Sequence, residues 1–157
     1  MNILIAAFEG TSAEVLTEGS SFDTLLLPSD KIRDSELLFS EMQSRSYDLV
    51  IAIGQKPVIK NKVYIETAAR MNGVVYETDF DCGRLKGLFE EQGIAAKISR
   101  NAGTSYCNSI YWHGMSYIKE RGLAAKIVFV HVPFEKNIYD MDAFIRGFWG
   151  AVNLLYK

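Results

Sequence analysis

Cysteine and histidine are both scarce in this 157-residue chain, two of each, and that scarcity removes several chemistries at once. Cys82 and Cys107 show no CxxC spacing and have no second pair with which to build a disulfide framework, so a reducing, cytoplasmic location is expected. His113 and His131 lie far apart, with neither HExxH nor Cys/His cluster spacing, and neither a metal nor a cofactor is expected. Excess positive charge is missing too. The formal net charge is −2 and the basic residues are scattered, which argues against a nucleic-acid groove or an anionic membrane surface. The opening run, MNILIAAFEG, is too short to span a bilayer and lacks the basic leader and cleavage site of a signal peptide, so the chain is expected to remain where it is made. No linker, repeat or low-complexity tract interrupts it, and residues 1–157 read as one domain.

What is present is an ordinary globular composition, 48% apolar and 23% charged, organised as strands alternating with helices. Asn2 to Phe8 and Leu49 to Ile53 are continuous apolar runs of the kind buried on both faces of a sheet. Asp23 to Leu27, Val63 to Ile65, Val74 to Tyr76, Ile94 to Ser99 and Ile127 to Val130 read as further strands. Helices are expected after Asp34, after Asp81 with Gly93 just past the C-terminus, and after Asp140, where Phe144, Ile145, Phe148, Val152 and Leu155 repeat at helical spacing. Glu9 to Ser21 reads as a loop with at most one helical turn. The pattern predicts an α/β fold, a three-layer α/β/α sandwich around a mixed, largely parallel sheet.

The stretch with most chemistry is Ser99 to Phe134. Gly103 breaks a strand and Thr104 is a good N-cap, which places Cys107 just inside a helix start, where free N–H groups and the helix dipole favour a thiolate. Cys107 also shares a helical stripe with Ile110, Tyr111, Gly114 and Ile118, the spacing of core residues, so spacing alone leaves a packed, inert thiol open. His131 follows Ile127 to Val130 and precedes Val132-Pro133, so the strand is expected to stop where the imidazole emerges. In α/β folds such strand ends carry sites.

Ala102-Gly103-Thr104 with Cys107-Asn108, followed in order by Phe129-Val130-His131-Val132-Pro133, resembles the AGT..CN and F-[IV]-HVP motifs of the pyroglutamyl peptidase (pyrrolidone carboxyl peptidase) family of cysteine peptidases. Weaker similarity covers the opening strand with Phe8-Glu9, the strand ending in Gly54-Gln55, and Ala69-Arg70. The resemblance implies removal of an N-terminal pyroglutamyl or similar small acyl group from peptides through an acyl-enzyme. Cys107 would be the nucleophile and His131 its proton carrier. By the same resemblance Arg70 and the Cys107 N–H would bind the oxyanion, Phe8 would stack on the substrate ring and Gln55 would contact its amide. A peptide or small amide is the implied partner, and association into homo-oligomers is a further expectation.

Two departures stand out. Phe8-Glu9 is followed by Gly10-Thr11, with Thr11 where the family has a second aromatic and without its glycine-rich and Asn-Pro-Ser stretch. The family's acid precedes an RVAIN-like motif, and alignment of Lys62 to Glu66 with that motif puts Asn61 at the acid's position. Asn61 is therefore the expected orienter of His131, acting through its carbonyl, with Glu66 as the weaker alternative. An impaired member that only binds peptides, or an esterase with the same nucleophile, stays open.

Overall fold

The computed structural model describes residues 1–156. Among the described residues eight strands and five α-helices follow one another in a mostly alternating order. Six strands form the main sheet: β1 (Ile3–Phe8), β2 (Asp23–Leu27), β3 (Leu49–Lys56), β4 (Lys62–Glu66), β7 (Ala95–Ser99) and β8 (Lys126–Pro133), in the spatial order β2-β1-β3-β8-β4-β7. All neighbours are parallel except β4 and β8, which run antiparallel. The remaining two strands, β5 (Ala68–Met71) and β6 (Val74–Glu77), form a separate hairpin.

β1 and the Leu49–Ile53 part of β3 are apolar because both of their faces are covered. On one face Ile3, Ile5, Ile53, Val130 and Val132 pack against α1 (Ser12–Thr17), α3 (Cys82–Glu91) and α5 (Met141–Asn153). On the other, Leu4, Ala6, Val50, Ala52 and Phe129 meet α2 (Arg33–Ser44) and α4 (Tyr106–Glu120). This is the expected three-layer arrangement around a mixed sheet. Each fully buried Leu, Ile or Phe in these layers contributes roughly 1.5–3 kcal/mol.

Local differences from the sequence reading have identifiable causes. Residues 12–17 form a six-residue helix capped by Thr11, whose side chain accepts from the Ala13 N–H at 3.1 Å, and it buries Ala13 and Leu16. A small alanine gave little periodic signal. The N-cap position of α2 is Ile32, and Asp30 in the preceding turn accepts from the N–H groups of Ile32 and Arg33; Asp34 lies inside the helix and is fully buried. Ser105, not Thr104, is the N-cap position of α4. β5 is not legible in the sequence because Ala68-Ala69-Arg70 has little β-propensity and is held by partners distant from that local signal, its hairpin strand β6 and the Asn108 side chain. β8 does not end at Val130 but continues to Pro133, the last residue of the strand, where a missing N–H is tolerated.

Among the described residues no helix is long and apolar enough to cross a membrane, and no group of three or more His, Cys, Asp and Glu side chains could hold a metal ion.

Candidate active site

Because β8 continues past residue 130, His131 sits inside the sheet, paired with Gly54 of β3 on one side and Tyr64 of β4 on the other. Its side chain is buried. Side chains alternate along a strand, so Lys62, Tyr64 and Glu66 of β4 share one face, and Glu66 is the acid next to the imidazole. Glu66 Oε1 lies 3.1 Å from His131 Nδ1, and both residues are almost without solvent exposure. The other carboxylate oxygen accepts from Ser99 Oγ at 2.7 Å, and the Tyr111 hydroxyl donates to the Glu66 carbonyl at 2.8 Å. A buried carboxylate with both oxygens occupied holds the ring in one orientation and leaves Nε2 as the free nitrogen.

Asn61 is elsewhere, which corrects the expectation that it meets His131. It precedes β4 in the left-handed region (φ 48°), a conformation asparagine tolerates, and its Oδ1 accepts from the Tyr139 N–H at 3.2 Å. Alignment to a motif ignored the period of two that puts Glu66, and not Asn61, on the histidine's face. Ser99 and Tyr111 were missed because nothing local marks a residue that acts by holding another.

Cys107 is the second residue of α4, half-buried where the apolar stripe of Ile110, Tyr111 and Gly114 meets the end of the core. Its sulfur rests on Gly54: a Cβ built there would lie 2.5 Å from Sγ and 2.9 Å from the Phe129 ring. Only glycine leaves space for the thiol at this point. Since Gly54 is the cross-strand neighbour of His131, thiol and imidazole converge on one patch at the C-terminal end of the parallel strands. Gly54→Ala is expected to displace the sulfur and lower kcat/KM at least about tenfold with the fold intact, since misplacement by about 1 Å is costly in catalysis; circular dichroism beside kinetics checks both halves.

The helix start does not by itself make a thiolate. Burial pushes the Cys107 thiol up to about 12, the nearby Glu66 charge adds to the rise, and Lys56 opposes it. The resting sulfur is a neutral thiol whose proton needs an acceptor. Cys82 behaves as an ordinary buried thiol, pushed up to about 11 by burial and by Asp81. A groove between the β5–β6 hairpin and the far half of α4 is lined by Tyr76, Thr78, Met115, Ile118 and Ile127 and does not include the thiol.

A sequence model described as pyroglutamyl peptidase matches residues 60–143, more than half of the chain and the part that carries Glu66, Cys107 and His131. The chain belongs to the pyroglutamyl peptidase family. A pyrrolidone-carboxylate peptidase of Staphylococcus saprophyticus is 25% identical over 86% of this chain and 78% of its own length. One from Brevibacillus brevis is 25% identical over 63% of this chain and 56% of its own length. In fold, the chain is similar to pyroglutamyl peptidase I of Bacillus amyloliquefaciens, with a TM-score of 0.83 at 18% identity over 96% of this chain and 94% of the other. A mutant pyrrolidone carboxyl peptidase of Pyrococcus furiosus superposes with a TM-score of 0.85 at 17% identity, covering 99% and 98%.

The other positions that resemble pyroglutamyl peptidase motifs are distributed around this patch. Gln55 is the penultimate residue of β3, and its Oε1 accepts from the Ser12 N–H at 3.1 Å, so its amide oxygen is engaged by α1. Phe8 is buried at the end of β1, and its aromatic neighbour is Tyr106, 6.3 Å between ring centroids. Thr11 is occupied as a cap and donates to the Phe8 carbonyl at 2.7 Å. Tyr106, the residue before Cys107, thus stands beside Phe8, where the sequence had suggested an aromatic was lost. Arg70 is exposed and its guanidinium donates to the Arg100 carbonyl at 2.7 Å, while its backbone is clamped by Asn108: Arg70 N–H donates to Oδ1 at 3.0 Å and Nδ2 donates to the Arg70 carbonyl at 2.8 Å. The Asn108 clamp ties the hairpin to the helix start that bears Cys107.

Proposed function

We propose that the chain is a cysteine peptidase that removes an N-terminal pyroglutamyl group, or a lactam of similar size, from peptides. The observation that carries this reading is the buried Glu66–His131 pair beside the glycine on which the Cys107 sulfur rests. Family membership supports the acyl specificity.

Substrate binding brings the scissile carbonyl over Sγ, and His131 Nε2 takes the thiol proton as sulfur forms its bond to the carbonyl carbon. Glu66 stabilises the imidazolium through Nδ1–H. The oxyanion meets the N–H of Cys107 at the helix start, and Arg70 adds charge on leaving the Arg100 carbonyl; one such donor is worth roughly 3 kcal/mol. The imidazolium then gives its proton to the leaving amine as the C–N bond breaks. Water, deprotonated by the same imidazole, hydrolyses the thioester and returns the thiol. Phe8 and Tyr106 flank the lactam ring, and Gln55, whose oxygen is engaged by Ser12, offers its amide N–H to the ring carbonyl.

The test is hydrolysis of a pyroglutamyl-coumarylamide reporter set beside the prolyl-coumarylamide, whose ring lacks the lactam carbonyl. Turnover of the first with at least about a hundredfold preference is expected, since a buried polar group left unpaired by the wrong ring is strongly rejected. Stoichiometric labelling of Cys107 by iodoacetamide should accompany loss of activity and be slowed by substrate. Equal rates on both reporters, or full activity after complete labelling, would remove the proposal.

A further inference from the structure

The face of the sheet that holds the catalytic pair does not stop at His131. Following the register outward from Gly54, the next residues in the row are His131 of β8, Tyr64 of β4 and Lys97 of β7. Lys62 lies on the same face two residues before Tyr64, and Lys56 two residues after Gly54. Their three ammonium nitrogens gather on one ring: Lys56 Nζ is 5.5 Å, Lys62 Nζ 5.6 Å and Lys97 Nζ 5.4 Å from the Tyr64 centroid. No two are further apart than about two such radii, which is close to the Debye length of roughly 8–10 Å, so they repel one another through the intervening space. Lys56 donates to the Asn101 carbonyl at 3.1 Å. Among the described residues none of the three has a carboxylate within ion-pair distance. Three unneutralised positive charges around one aromatic ring form a tray for a carboxylate.

The chemistry fixes which part of a substrate would reach it. The leaving amine takes its proton from His131, so the leaving peptide departs from the sulfur on the His131 side. Two strand spacings of about 4.8 Å separate Gly54 from Tyr64, a span that two to three extended residues cover at about 3.3 Å each. We infer that Lys56, Lys62 and Lys97 around Tyr64 bind a carboxylate carried by the first two residues of the leaving peptide, making this chain selective for acidic or very short peptides. The inference rests on the reading of Cys107 and His131 as an acyl-transfer pair. The carboxylate has two sources, a Glu or Asp side chain and the free C-terminus of a dipeptide leaving group.

Three pyroglutamyl peptides separate these sources: leaving segments Glu-Ala-amide, Gln-Ala-amide and Gln-Ala with a free carboxylate, assayed on the wild type and on a Lys62→Gln/Lys97→Gln double variant. Lys56 is left in place because it acts on Cys107. At low salt, kcat/KM for at least one carboxylate peptide should exceed that of the neutral one by about fivefold or more, as expected of a few exposed ion pairs acting together. That ratio should fall to within about twofold in the double variant, and likewise in the wild type in about 1 M salt, where the Debye length is roughly 3 Å. The peptide that shows the preference identifies the source. A ratio near one in the wild type, or one unchanged in the variant, overturns the inference. Titration of Cys107→Ser with acetyl-Glu-Ala-amide, acetyl-Gln-Ala-amide and acetyl-Gln-Ala reads the tray without turnover. A carboxylate preference there, with no pyroglutamyl peptide cleaved by the wild type, keeps the tray and removes the acyl reading; no preference in either assay removes the tray.

Discussion

Glu66→Gln should lower kcat by about a thousandfold, roughly 4 kcal/mol of transition-state stabilisation, with a much smaller change in KM. Glutamine fits the space of the carboxylate and can still present an oxygen to His131 Nδ1 and an amide to Ser99 Oγ, so the fold and ring orientation survive. The negative charge does not. The imidazolium that forms when Cys107 gives up its proton would be buried with no counter-charge, and burial disfavours the charged form. The effect is large here because the thiol, at about 12, is neutral at rest and every turnover has to generate that imidazolium. Asn61→Ala is the companion measurement. Asn61 bonds the Tyr139 N–H and does not reach the histidine, so kcat should stay within about twofold while stability falls by about 1 kcal/mol for the lost hydrogen bond. If Asn61→Ala were to abolish turnover and Glu66→Gln to leave it intact, the assignment would be reversed.

Asp34→Asn should stabilise the protein by about 2 kcal/mol at pH 8 and by much less at pH 4. Asp34 is fully buried in the first turn of α2, and while Oδ1 accepts from Ser35 Oγ at 3.1 Å, Oδ2 has no hydrogen-bond partner. Burial raises its carboxyl from 3.8 to about 6, with the Ser35 hydroxyl and N–H acting in the opposite direction. The folded state therefore holds the proton more tightly than the unfolded chain. Stability from this group is fully present below pH 4, declines as the pH rises toward 6, and is flat above. A shift of about two units corresponds to roughly 3 kcal/mol, and part of the gain from asparagine is offset by burying its own N–H groups. Urea denaturation at the two pH values measures the difference. An equal change at both would mean that Asp34 is not the titrating group.

How far the sequence could be read is best seen strand by strand. β1 and β3 were legible because continuous apolar runs have one physical use, burial on both faces of a sheet. Cys107 and His131 were legible as a pair because their flanking motifs travel together, and α5 because its apolar stripe repeats through the whole helix. Glu66 was visible but undervalued. Its neighbour His131 is 65 positions away, and only the register of β4 against β8 shows that the alternating face containing Lys62 and Tyr64 ends in that carboxylate. The aromatic beside Phe8 was sought at position 11, close in sequence, whereas it comes from Tyr106 on another element. Caps were misread by one residue or one turn because Ser, Thr and Asp recur around the helix starts and any of them can serve.

β8 joins the two halves of the sheet: on one side lies β2-β1-β3, on the other β4-β7, and both halves precede it in the chain. Gly54 and Tyr64 share a neighbour in the sheet only through His131 of this strand. In chain order β8 is the last strand of this sheet, and it is both the keystone that joins the two halves and the strand that places His131 beside Glu66.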